Sequence, residues 1–187
     1  MKSHCWSRSI GILISTAVLI FTSSCRQGSE QPAAGGGSQE GEIAPEIGAV
    51  TPASGTGRTA TLRLSASHPA GAAAIANIQV LIDEKMTATG SGGCWIEINA
   101  SKFVAVRNEE STGFLPAVAI GSPGIAADSK CSVPAAGVKL EPKDTEVVVT
   151  LPITFAPTFK GPKKIFVIAS TARKNCPWTE RGAWTVD

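Results

Sequence analysis

Thr59-Ala60-Thr61-Leu62-Arg63-Leu64-Ser65-Ala66 alternates polar and apolar residues without a break, and this period of two decides the fold class. Successive side chains of a β-strand point to opposite faces, so one face of this segment is apolar and the other wet. Neighbouring stretches repeat the pattern. Ile78, Val80 and Ile82 alternate with Asn77, Gln79 and Asp83, while Leu81 breaks the alternation and implies cover on both faces. Trp95-Ile96-Glu97-Ile98 and Phe103-Val104-Ala105-Val106 flank Asn99-Ala100-Ser101-Lys102, a spacing that suits a hairpin. Val147 to Phe155 and Lys164 to Ala169 are rich in β-branched residues, and Ala183-Trp184-Thr185-Val186 closes the chain.

Turn signals separate these runs: Pro52, Pro69-Ala70-Gly71, Ser122-Pro123-Gly124 and Lys160-Gly161-Pro162. The alanine-rich stretch from Gly71 to Ala76 is too short for more than a turn. Pro152 has no amide proton to donate, which places its strand at a sheet edge or at a bulge. Many short strands with regular turns imply an all-β fold, an antiparallel sandwich of about seven to eight strands over residues 49–187.

Working outward to the N-terminus, Lys2 and Arg8 precede an apolar run from Ile10 to Phe21 and then Thr22-Ser23-Ser24-Cys25. The run is too short to span a bilayer, and residues 1–24 read as a secretory signal peptide. Its end resembles the lipobox of bacterial lipoproteins, in which the cysteine, here Cys25, becomes the lipidated first residue. Thr22 stands where that box usually has Leu. From Arg26 to about Gly48 the chain is rich in Gln, Glu, Gly, Ser, Pro and Ala with no apolar face, so 25–48 reads as a flexible tether. About twenty such residues have an r.m.s. span of roughly 25 Å.

Without Lys2 and Arg8, the seventeen basic side chains become fifteen, equal to the fifteen acidic ones. A chain with no net charge has no long-range field to draw it to phosphate backbones, and nucleic acid is excluded as an expected partner. Of five cysteines, Cys5 leaves with the signal and Cys25 is the lipid site, leaving Cys94, Cys131 and Cys176. In an oxidising compartment two should pair. Cys94 with Cys131 is the favoured pair, with Cys176 able to replace either.

The segment from about Val50 to Asp187 resembles an immunoglobulin-like β-sandwich module that recurs in secreted and surface proteins of bacteria. The resemblance rests on the order of Val50-Thr51-Pro52-Ala53-Ser54-Gly55-Thr56-Gly57, Val80-Leu81-Ile82, Cys94-Trp95, Asp128-Ser129-Lys130-Cys131, Phe155 to Gly161, and Arg181 to Val186. It implies a Cys94–Cys131 bond and carries no catalytic activity with it. Cys176 departs from the pattern, and so does His68, where an Asp- or Asn-rich turn would be expected. If relatives bind calcium there, the resemblance implies that this chain has lost the site.

The chemistry left is sparse. His68 is the one histidine beyond the signal, there is no tyrosine, and no Gly-x-Ser-x-Gly elbow accompanies it. His68 reads as an exposed turn residue. No Cys-x-x-Cys pair or histidine cluster suggests zinc. Asp83-Glu84, Glu109-Glu110 and Asp128 offer oxygen donors for calcium but read as solvated surface. Adjacent carboxylates in a strand point apart and cannot flank one glycosidic bond. No catalytic, cofactor or metal residue is therefore assigned. Trp95, after a cysteine, and Trp184, in a strand, read as core; Trp178, beside Pro177 in a loop, is the candidate contact for a protein or glycan.

The expected function is a non-enzymatic, lipid-anchored binding or structural module at the surface or in the periplasm, exported and held to the cell-envelope membrane through Cys25. A secreted form without the anchor is the alternative location. Alternative functions are a small exported enzyme using His68, and an assembly or chaperone-like partner offering the Pro152 strand for β-augmentation.

Overall fold

The structure, a computed structural model, describes residues 42–87 and 92–187. The segments expected as signal peptide and tether, as far as residue 41, and Cys25 lie outside the described residues. In chain order the strands are β1 (Glu46–Thr51), β2 (Ser54–Thr56), β3 (Thr59–Ser67), β4 (Asn77–Asp83), β5 (Cys94–Asn99), β6 (Phe103–Val106) and β7 (Val118–Ala119). They continue with β8 (Ile125–Ala127), β9 (Cys131–Pro134), β10 (Lys139–Lys143), β11 (Glu146–Phe155), β12 (Gly161–Ser170) and β13 (Thr179–Val186). Single 3₁₀ turns at Ala72–Ala74 and Ala135–Gly137 are the only helical pieces among the described residues.

The strands form two sheets, one ordered β1-β3-β11-β9-β8 with β10 also on β11, the other β2-β13-β12-β4-β5-β6-β7. Pairing is antiparallel except for β2 on β13. The chain is an all-β sandwich, as its periodicity implies. Of the thirteen strands, the seven runs read from the sequence are β3, β4, β5, β6, β11, β12 and β13. The other six, of two to six residues, were not read from the sequence.

Alternation becomes packing directly. Ala60, Leu62, Leu64 and Ala66 of β3 face Ile153, Leu151, Val149 and Val147 of β11, register for register, and all eight are buried. Opposite them, Ile78, Val80 and Ile82 of β4 pair with Ile98, Ile96 and Cys94 of β5 and close the core from the second sheet. Burying one such side chain contributes about 1.5–3 kcal/mol relative to exposure.

Pro152 is not at a sheet edge. Its strand, β11, is flanked by β3 along nearly its whole length and, on the other side, by β10 up to Thr150 and by β9 from Thr154. Phe155 N–H donates to Arg58 O beside β3, whereas Ala156 N–H donates to Lys130 O on the β9 side. Alternation turns the Pro152 nitrogen towards the β9 side, at the point where one partner strand gives way to the next. The 3₁₀ turn with Gly137 fills that gap, so no ladder bond is lost.

The folded unit also begins earlier than Val50. Glu46 opens β1, Ile43 O bonds His68, and Glu42 accepts from Thr171 Oγ1 at 2.9 Å. The far end is stitched to the start by β2 and β13: Ala183 N–H donates to Ala53 O, and the Trp184 ring lies against Gly55. A Cβ on Gly55 would sit 2.2 Å from that ring, so the close approach requires glycine.

Candidate functional site

Register places Phe166 of β12 beside Leu81 of β4, and Leu81 beside Trp95 of β5. By alternation this row lies on the outer face of its sheet, away from the core. This outer row is apolar and buried: Leu81 is fully so, Phe166 is 7% exposed and Trp95 9%. Three segments supply the cover: Met86 after β4, Phe114 after β6 and Trp178 before β13. Leu81 interrupts the sequence alternation for this reason.

Trp178 meets Trp95 edge to face, with centroids 5.4 Å apart and planes at 82°. Phe114 approaches the same indole at 6.3 Å and 90°. The Arg107 guanidinium sits 4.1 Å from the Trp95 ring centroid and 5.5 Å from that of Phe114. Such stacking contributes about 0.5–2 kcal/mol according to its desolvation. Arg107 is held in place by donating from Nε and Nη2 to Ser111 O, at 3.1 and 2.6 Å. Asn108 fastens the same loop by accepting from the Thr112 and Gly113 amides.

One row further along, Trp95 Nε1–H donates to Gln79 Oε1 at 2.9 Å, and Gln79 Nε2 donates to Glu97 Oε2 at 3.0 Å. Burial raises the Glu97 carboxyl above the usual carboxylate range, against the opposing bond from Gln79. The outer face therefore combines aromatic edges, a stacked guanidinium and a partly buried carboxyl. It can stack a ring or accept hydrogen bonds; among the described residues it places no nucleophile beside a base.

Trp178 is thus half-buried and shares its ring with the cluster. Trp95 is buried as expected but on the outer face, since Cys94 takes the inward position. Trp184 does lie in the core, with its Nε1–H on Gly57 O at 2.8 Å. Cys94 and Cys131 form a disulfide with Cα atoms 5.7 Å apart, joining β5 of one sheet to β9 of the other. Cys176 is a buried free thiol whose sulfur accepts from Ala169 N–H.

His68 is not an exposed turn residue. It is 7% exposed, its Nε2 lies 2.9 Å from Ile43 O, and Ala70 N–H donates to Nδ1. This assigns the Nε2–H tautomer and uses both ring nitrogens to pin the entering chain. The acidic groups are engaged separately. Glu109 accepts from Lys130 and from Ser129 N–H, which holds its carboxyl down at about 2. Asp128 accepts from the Lys130 and Cys131 amides, and burial raises its carboxyl. Asp83 accepts from Glu84 N–H and is likewise raised by burial, while Glu84 pairs with Lys163 at 2.9 Å. Among the described residues no three His, Cys, Asp or Glu side chains converge on a metal-sized site.

Arg107, Phe114, Gln79 and Glu97 escaped the sequence reading. The signal for two of them was present, since Gln79 and Glu97 share the outward parity of Trp95. Phe114 and Arg107 needed the path of the loop. Fold and site together define a disulfide-bridged all-β sandwich with an aromatic cluster on one outer face. No protein-family model and no curated protein matches the chain. Among the described residues no helix is long and apolar enough to cross a membrane.

Proposed function

We propose that this protein is an exported immunoglobulin-like sandwich, lipid-anchored through Cys25, that acts as a non-enzymatic binding module of the bacterial cell envelope. The observation that carries the reading is the buried Cys94–Cys131 bond, because such bonds persist in oxidising compartments and agree with a secretory signal. The immunoglobulin-like assignment is supported by the bridge between two sheets and by β2 lying on β13, which brings together two of the quoted segments. A binding role is supported by Trp178, half-buried at the rim of the aromatic cluster, where a protein or glycan surface could extend the stack. The strand-donor alternative loses its specific motive, since the Pro152 strand has neighbours on both sides.

Mass spectrometry of the membrane fraction tests the anchor. A mature chain beginning at Cys25 with a lipid adduct is expected, and an intact chain from Met1, or a different mature start, rules it out. Quenching of tryptophan fluorescence on titration with envelope glycans or surface peptides, lost in Trp178→Ala, is the expected result for the contact.

A further inference from the structure

Residues 42–44 reach the fold with little apolar burial of their own. Glu42 and Ile43 are exposed and Ala44 is half-buried; Pro45 and Ile47 are the first buried side chains. Two polar contacts hold this segment instead. Thr171 Oγ1–H donates to Glu42 Oε1, and His68 Nε2–H donates to Ile43 O, both at 2.9 Å. The second contact depends on the protonation state of the ring.

The His68 ring is buried, and Ala70 N–H donates to its Nδ1 at 3.1 Å. An imidazolium carries N–H on both nitrogens and accepts nothing, so a protonated ring sets its Nδ1–H against the Ala70 N–H. A buried charge is also costly without a bonded partner of opposite sign. Four segments converge here: the entering chain, the turn after β3, the β10–β11 hairpin, whose Thr145 O accepts from His68 N–H, and the β12–β13 loop, whose Thr171 holds Glu42. Their charged residues are Glu42, Lys143, Asp144, Arg173 and Lys174, all exposed, with Glu46 and Glu146 in register with the neighbouring Ser67. Among the described residues none of these bonds the imidazole, whose contacts are Ile43 O and Ala70 N–H.

We propose that His68 is an acid-operated catch on the entering chain: neutral, it holds Ile43; protonated, it gives up both ring bonds, turns out to solvent and frees residues 42–44. The proton comes from solvent and adds at Nδ1, the nitrogen that carries none. Histidine is the side chain suited to such a step in mildly acidic surroundings. Pro45 and Ile47 stay docked, so β1 keeps its place on β3. Three freed residues extend the chain ahead of the fold by up to about 10 Å. The catch is separate from the Trp178 cluster and does not depend on lipidation at Cys25.

The test is nuclear magnetic resonance on protein purified from cells expressing the complete chain, titrated from about pH 7.5 to about pH 5. At the upper end the ring nitrogens should report the Nε2–H tautomer, and the Ile43 and Ala44 amides should have order parameters near the rigid value of about 0.85. As the imidazole gains its proton, these should fall below about 0.6. The Ala70 amide should lose about tenfold in protection factor over the same range. Glu42→Gln, which keeps an acceptor for Thr171, should respond as the parent does. His68→Gln, with no group to protonate there, should give the same order parameters at both ends of the range. An imidazole that titrates while Ile43, Ala44 and Ala70 stay unchanged overturns the catch without any variant. So does a response that disappears in Glu42→Gln, or a ring that gains its proton only as the whole domain unfolds.

Discussion

The inner and outer faces of the sheet built on β4, β5 and β12 follow one alternation and end in different structures. Inward, Ile78, Val80, Ile82, Ile96, Ile165 and Val167 meet a second sheet of matching pattern and form the apolar core. Outward, Leu81, Trp95 and Phe166 meet no sheet, and loops carrying Met86, Phe114 and Trp178 close over them. A sheet face covered by a sheet is built from paired strands whose every second residue contributes. One covered by loops is built from a few large side chains, held by local bonds such as Arg107 on Ser111 O. The outer cover should therefore yield first.

The bridge that ties the inner face together should matter most. Replacing Cys94 and Cys131 by alanine opens a loop of 37 residues and should cost about 4 kcal/mol in urea unfolding on the chain-entropy account. Non-reducing peptide mapping should find this pair linked, with Cys176 alkylated only after unfolding. A link through Cys176 would refute the assignment. Within the core, Leu151→Ala should cost about 2–5 kcal/mol and lower the cooperative unfolding midpoint. Trp178→Ala should cost less, about 1–2 kcal/mol, because its ring is only half-buried and the edge-to-face contact is worth on the order of 1 kcal/mol. Its signature should be a loss of near-UV circular dichroism with the far-UV spectrum unchanged. If Trp178→Ala equals Leu151→Ala in cost, the two faces are one cooperative unit and the contrast fails.

The smallest effect concerns pH. Burial raises the folded-state pKa of Glu97 above its ordinary value of 4.5, so its neutral form is favoured in the fold. The associated stability is present below that ordinary value and is lost as pH rises through the raised one. Glu97→Gln should therefore be more stable than the parent at pH 7, with the gap closing by pH 4, as read from urea midpoints at the two values. A variant equally offset at both would mean that the carboxyl is fully solvated.

How much of this was legible depends on whether the cause was local. The long strands were, because period two is written in each segment alone. Leu81 was legible as well, as a break in alternation that announced a covered outer face. Trp95 was legible as buried but not as to side: its cysteine neighbour suggested the core, whereas the inward position belongs to Cys94. His68 misled because a Pro-Gly context looks solvated, while its ring and its amide are bonded by the carbonyls of Ile43 and Thr145, distant in sequence. Pro152 misled because a missing donor implies a missing neighbour, and here one neighbour ends as another begins. Of the residues named from the sequence, Cys94 and Cys131 form the expected bond, and Trp178, expected in a loop as a contact, packs against partners that its own segment did not reveal.

Alternation and turn residues by themselves determined that this chain is an all-β sandwich, and which residues face inward along the seven strands read from them, because side-chain direction in a strand is a property of the backbone. Only the tertiary structure decided which loops cover Leu81, Trp95 and Phe166, and that His68 holds the entering chain. Each of these depends on groups far apart in sequence meeting in space, and neither periodicity nor spacing encodes such a meeting.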